Sequence, residues 1–186
     1  MNVLVTAFEP FDGRNENQSL QILRRLEGDD VDTFVLPVVF KDAFLKLKDH
    51  LEQHAYDLLI MLGEGPNKVL HLEHVALNIM HARIPDVTGY QPKSEKIDEG
   101  PIGIRSTLPL TMFKDVLEKK DLPYLDSYHA GTYVCNDLFY RVMRLDITMP
   151  RGFIHVPNDP FYFETSFASI QKILQSLKKD TSSFFK

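Results

Sequence analysis

The chain holds a single cysteine, Cys135, and no tryptophan. One cysteine excludes an internal disulfide and any Cys-rich zinc or iron–sulfur site, and it suits a reducing, cytoplasmic setting. No window approaches ~18 consecutive apolar residues, so neither a membrane-spanning helix nor a membrane partner is expected. The opening MNVLVTAFEPFDG lacks a basic start and a small-residue cleavage site, so it does not read as a signal peptide. Positive charge is in deficit. Twenty-one Lys and Arg against 26 Asp and Glu leave −5, which disfavours nucleic acid held by a general cationic field. Nine Gly and 11 Pro in 186 residues exclude collagen-like and low-complexity classes. No repeat and no Ser/Gly-rich linker divides the chain, so its length predicts one domain over residues 1–186. A chain this long buries roughly 70% of its unfolded surface and needs no disulfide or metal staple.

What is present is an alternation of strand and helix patterns. Asn2 to Thr6 (NVLVT), Thr33 to Pro37 and Leu58 to Leu62 (LLIML) are short apolar runs, as buried strands of an α/β sheet read. Between them, Leu20, Leu23 and Leu26, then Phe40, Phe44, Leu47 and Leu51, recur at helical spacing. Val69 to Met80 has no Gly or Pro break and reads as one extended strand or edge hairpin arm. Pro85 to Ile102 is polar and turn-rich, the candidate for a mobile loop, and ordered structure resumes at Ser106 to Leu108. Pro109 suits the first turn of a helix carrying Leu110, Phe113 and Leu117. Tyr124 to Ser127 is a weak strand, Cys135 to Arg144 a helix and Gly152 to Val156 the last strand. A helix from Phe163 through Leu177 follows, and the tail TSSFFK reads as frayed. The order predicts an α/β fold with helices on both faces of a largely parallel sheet.

Three residues carry candidate chemistry. Gly131 and Thr132 read as a turn and cap, which puts Cys135 at a helix start, where unpaired N–H groups favour a thiolate. His155 ends a predicted strand, and carboxyl ends of parallel strands face the functional crevice. Glu73 lies in the extended segment. Imidazole can take the thiol proton while the carboxylate fixes its tautomer. With seven His and 26 acids in the chain, spacing alone leaves this trio open, and a lone cysteine can equally be a buried small hydrophobe. His71 and His74 read as strand-face or surface residues. Strand alternation splits them across faces, which argues against a metal site with Glu73.

Four blocks, in order, carry a resemblance: LVTAFEPFDG (Leu4 to Gly13), LEHVALN with ARIPD (Leu72 to Asp86), AGTYVCN (Ala130 to Asn136) and GFIHVP (Gly152 to Pro157). LPVVF (Leu36 to Phe40) is a fifth, weaker one. Together they resemble the pyrrolidone-carboxylate peptidases, or pyroglutamyl peptidase I, a bacterial and archaeal family of cysteine peptidases. The resemblance implies a three-layer α/β/α sandwich around a mixed, largely parallel sheet, assembled as a homotetramer. It implies Cys135 as nucleophile, His155 as general base and Glu73 as the acid of a triad, with no metal and no cofactor. The implied substrates are peptides and proteins with an N-terminal pyroglutamyl residue, whose amide bond is hydrolysed through a thioester. Phe8 and Phe11 match the aromatic pair flanking the lactam ring, and Asn17, Val38, Val39, Ile84, Tyr133 and Val134 match further pocket positions. Arg83 matches an arginine near the catalytic centre. From the residues alone, Phe8 and Phe11 are equally core aromatics and Arg83 equally a structural ion-pair partner.

This chain departs from the family pattern at several positions. Ala7 and Asp12 stand for glycines, His74 for an arginine, and His81 for an aspartate. Glu64 stands where relatives carry a neutral residue and would disfavour an anionic ligand in the pocket. Asp12 and Glu64 motivate an alternative, a scaffold that binds pyroglutamyl groups without efficient cleavage. A related amidase or esterase using the same trio is a third reading.

Overall fold

The structure, a computed structural model, describes residues 1–26 and 31–179. The tail TSSFFK, residues 181–186, lies outside the described residues. Six strands form the main sheet in the order β2-β1-β3-β8-β4-β7. These are β1 (Val3–Phe8), β2 (Asp32–Leu36), β3 (Leu58–Gly65), β4 (Leu70–Glu73), β7 (Tyr124–Ser127) and β8 (Arg151–Pro157). Every pairing is parallel except β4 against β8. The sheet is therefore mixed and mostly parallel.

Helices cover both faces. Leu20 and Leu23 of α1 (Gln18–Arg25), Phe113 and Leu117 of α3 (Leu110–Glu118), and Ile170 and Leu174 of α5 (Phe163–Lys179) pack on one face. Ala43 and Leu47 of α2 (Asp42–Gln53) and Leu138 and Val142 of α4 (Val134–Met143) pack on the other. Both cores run through the same strands, since successive side chains of β1, β3 and β8 point to opposite faces. That is why these strands read as continuous apolar runs: β1 and β8 are buried at every residue. Among the described residues no helix is long and apolar enough to cross a membrane.

One predicted element is corrected. The segment Val69 to Met80 is two strands rather than one. β4 lies inside the main sheet, between β8 and β7, and β5 (Val75–Leu77) pairs antiparallel with β6 (Gly103–Arg105) in a separate ribbon. The chain leaves the main sheet at His74, whose N–H donates to Ser127 O and whose carbonyl accepts from Ser106 N. The buried Asn136 amide then clamps Leu77, accepting from its N–H at 2.9 Å and donating to its carbonyl at 2.8 Å. A long-range polar clamp of this kind leaves no trace in local hydrophobic pattern.

The segment from Pro85 to Ile102 is irregular, as predicted, and heavily tied down. Asn78 Oδ1 accepts from the N–H groups of Ile97 and Asp98, and its amide donates to the carbonyls of Asp98 and Gly100. The buried Asp86 carboxylate accepts from Phe40 N, Thr88 N, Thr88 Oγ1 and Tyr90 N, joining this segment to the start of α2. Burial pushes the Asp86 carboxyl up, but the bonds from Thr88, Phe40 and Tyr90 outweigh it and hold the group below its usual value.

Candidate active site

A cavity of about 360 Å³ opens over the sheet at the carboxyl ends of β1, β3 and β8. Strand order sets the sequence of groups along it. Val38, beyond β2, and Phe8 and Phe11, at the end of β1, form one end. Glu64 and Gly65 of β3 and His155 of β8 follow, then His71 and Glu73 of β4, with His129 from the loop after β7. Tyr133, Val134 and Cys135 roof the cavity from the start of α4.

Cys135 is the second residue of α4, and the cap is Tyr133 rather than Thr132. Gly131, at φ 79°, makes the turn that brings the chain up to that helix. The sulfur comes down on β3 at Gly63, where the strand has no side chain. A methyl group there would lie 2.9 Å from Cys135 Sγ and 2.8 Å from the Phe153 ring. In a parallel register Gly63 faces His155, so glycine on one strand makes room for the sulfur beside the imidazole on the next.

His155 and Glu73 belong to the antiparallel pair β8–β4. His155 Nδ1 lies 2.8 Å from Glu73 Oε1, both side chains are buried, and Glu73 Oε2 has no hydrogen-bond partner among the described residues. Cys135 lines the same cavity and interacts electrostatically with the His155 ring. Burial alone would push the His155 pKa down. The hydrogen bonds and charges of Cys135 and Glu73 outweigh it and raise the group to about 10. A thiol, an imidazole and a carboxylate thus share one cavity, with the imidazole disposed to hold a proton.

At the other end, Phe8 and Val38 are buried, and Phe11 packs on the Tyr133 ring at 5.9 Å between centroids. Tyr133 meets Phe40 edge-on at 5.3 Å and donates its hydroxyl to Pro85 O. Burial, then the charges of Asp86 and Asp12, push its pKa up to about 12. Asn17 is the N-cap of α1. Its Oδ1 accepts from Ser19 N and Ser19 Oγ, and its amide donates to Glu9 O.

A family model described as pyroglutamyl peptidase matches residues 1–181. The chain belongs to the pyroglutamyl peptidase family. Pyrrolidone-carboxylate peptidase from Thermococcus litoralis is 36% identical over 186 residues, covering 94% of this chain and 84% of that one. The same-named protein of Bacillus subtilis is 35% identical over 190 residues, covering 96% and 86%. The fold is similar to the crystal structure of Bacillus amyloliquefaciens pyroglutamyl peptidase I, with a TM-score of 0.86, 31% identity and coverage of 92% and 93%. Pyrrolidone carboxyl peptidase from Thermococcus litoralis superposes with a TM-score of 0.86 at 33% identity, covering 96% of each chain.

Within this pyroglutamyl peptidase fold, the cavity gathers Phe8, Phe11, Asn17, Val38, Glu64, Glu73, Tyr133, Val134, Cys135 and His155. Val39, Arg83 and Ile84 are not among its lining residues, and Arg83 is exposed. In the ARIPD stretch it is Asp86, not Arg83, that is buried and bonded inward. Glu64 does reach the cavity, but not as a bare charge. It pairs with Arg14 and accepts from Gln18 N at 2.6 Å, capping the first turn of α1. Asp12 is exposed and outside the lining, at φ 56°. That left-handed backbone is the physical reason glycine suits the position, and aspartate tolerates it better than most residues. His74 points away from the cavity and contacts Asp126 Oδ1 at 2.6 Å, while His81 meets Ser94 Oγ at 3.0 Å.

Sequence reasoning missed Gly65, Pro66, Asn67, His71, His129, Ala130 and Gly131 as lining residues. His71 was legible, because it shares a strand face with Glu73. The loop residues and Arg14 carried no local signal.

Proposed function

We propose that this protein is a cysteine exopeptidase that hydrolyses the amide bond after an N-terminal pyroglutamyl residue. The observation that carries the reading is the 2.8 Å contact of Glu73 Oε1 with His155 Nδ1, with Cys135 lining the same cavity and interacting electrostatically with that ring, beside apolar walls. Glu73 fixes the His155 tautomer, so that Nε2 faces the thiol. The Cys135 sulfur gives its proton to His155 and attacks the pyroglutamyl carbonyl carbon. The resulting oxyanion is within the compass of the Cys135 N–H, at a helix position with no carbonyl four residues back. As the carbon–nitrogen bond breaks, His155 passes its proton to the leaving amine. Water then attacks the thioester, His155 takes its proton, and the thiol and free pyroglutamate separate.

A pyroglutamyl end is a flat, uncharged lactam. It needs apolar walls and one donor and one acceptor, not a carboxylate to hold an ammonium. Phe8, Phe11, Val38, Tyr133 and Val134 supply such walls. The binding-only alternative rested on Asp12 and Glu64. Neither blocks the trough, since Asp12 lies outside it and the Glu64 charge is matched by Arg14. The protein further works as one catalytic domain in a reducing cytoplasm, where its lone thiol stays free, and as a homotetramer. A fluorogenic pyroglutamyl amide tests the central reading. We expect hydrolysis that thiol alkylation blocks and that Cys135→Ser lowers by about a thousandfold or more. A folded, reduced wild-type protein that leaves this amide intact overturns it.

A further inference from the structure

The trough extends well past the triad. From β1 to β4 it crosses three strand intervals, ~14 Å at usual spacing, far more than one five-membered ring occupies. Its two ends differ in chemistry. The β2–β1 end is aromatic and aliphatic, whereas the β4–β7 end carries His71 and His129, with Asn67 in the loop leading from β3 to β4.

The triad sets the direction of the substrate along this axis. Cys135 Sγ lies over β3, and His155, on β8, lies on the polar side of it. The group that protonates the leaving amine must sit on the leaving side. Resting on the function proposed above, the lactam therefore fills the aromatic end and the next residue of the peptide lies toward β4.

That end presents hydrogen-bond donors. His71 faces His155 directly across the antiparallel β8–β4 ladder, so the two rings project from the same face of the sheet. Its ring makes no hydrogen bond among the described residues, and burial lowers its pKa, which leaves a neutral ring with one N–H to offer. His129 Nδ1 accepts from Gly131 N at 3.1 Å, which puts the proton of the neutral ring on Nε2, a second donor. The Asn67 side chain, in the loop that carries the chain from β3 to β4, stands against Gly65 of β3. The one carboxylate there, Glu73, already has Oε1 committed to His155.

We propose that Asn67, His71 and His129 form the subsite for the residue after pyroglutamate, and that it selects a side chain ending in hydrogen-bond acceptors, a carboxylate above all. Lysine at that position is disfavoured, because His129, its Nδ1 taken by Gly131 N, offers only a donor to a group that only donates. His71 acts here on the leaving residue and not on the thiol.

The test is kcat/KM at neutral pH for four pyroglutamyl-X amides, with X as Glu, Gln, Leu or Lys. The terminal amide leaves the side chain as the only source of a carboxylate. We expect the order Glu, Gln, Leu, Lys, with Glu about tenfold or more above Leu, as one net hydrogen bond to a charged group provides. His71→Leu and, independently, His129→Leu at an exposed position should bring the Glu-to-Leu ratio toward one. His71→Gln retains a donor and should keep the preference. Equal rates for all four amides in the wild type, or a ratio unmoved in both Leu variants, overturn the subsite while leaving the peptidase reading intact. Cleavage of none of the four overturns the peptidase reading, and the subsite with it.

Discussion

At the scale of single residues, the site depends on one position with no side chain. Gly63 lets the Cys135 sulfur and the Phe153 ring approach the same point of β3, and a methyl group there would lie within 3 Å of both. Gly63→Ala is expected to displace the sulfur, lowering kcat about a hundredfold with a smaller change in KM, and to cost about 1–3 kcal/mol in overpacking. Steady-state kinetics beside thermal unfolding separate the two effects. Glu73 acts through His155. The raised His155 pKa, near 10, means the ring keeps its proton well above neutrality, so the alkaline limb of kcat/KM falls toward pH 10. In Glu73→Gln one of the groups holding that proton is gone, so the limb moves to lower pH and kcat drops by about 10³–10⁴. A pH–rate profile of both proteins reads the shift, and an unmoved limb in the variant contradicts the role given to Glu73.

At the scale of elements, polar side chains join segments that hydrophobic packing alone would leave unregistered. Arg151, at the start of β8, is buried at 6% exposure and donates to the carbonyls of Val142, Met143, Leu145, Ile147 and Met149. These lie at and just beyond the C-terminal end of α4, where carbonyls lack helical partners and the dipole favours a cation. The same residue thereby ties the helix that presents Cys135 to the strand that presents His155. Arg151→Met should destabilise the fold by about 3 kcal/mol or more, because several buried acceptors lose their donor together. Chemical denaturation measures it, and a loss below about 1 kcal/mol contradicts the account. Asn136 and Asp86 play comparable parts, the first tying α4 to β5 and the second tying the irregular segment to α2.

At the scale of the whole molecule, two layers of helices on a mixed sheet leave β7 as an edge strand. Leu125 on that edge is 55% exposed, and Tyr128 just beyond it is 61% exposed. An unprotected edge with apolar side chains is a surface that proteins tend to cover. The proposed homotetramer supplies a cover in its simplest form, copies of the same chain. Sedimentation at micromolar concentration should show one species of four chains. A single-chain species under those conditions removes the tetramer from the proposal.

Local pattern by itself indicated most of the elements, and the family blocks indicated the candidate chemistry. Buried strands such as Leu58 to Leu62 and helices such as that of Leu20 and Leu23 were legible because burial on two faces, or along one stripe, imposes a period on the residues themselves. The family blocks likewise picked out Cys135, His155 and Glu73, since each block is contiguous. What only the tertiary structure decided are relations between segments far apart in the chain. These include the break of Val69 to Met80 at His74, the neutralising of Glu64 by Arg14, the exposure of Arg83, and the place of His71 and His129 at the far end of the trough. Each depends on which strand lies next to which, and strand order follows from the balance of long-range packing and hydrogen bonding, not from the identity of any residue's neighbours in sequence.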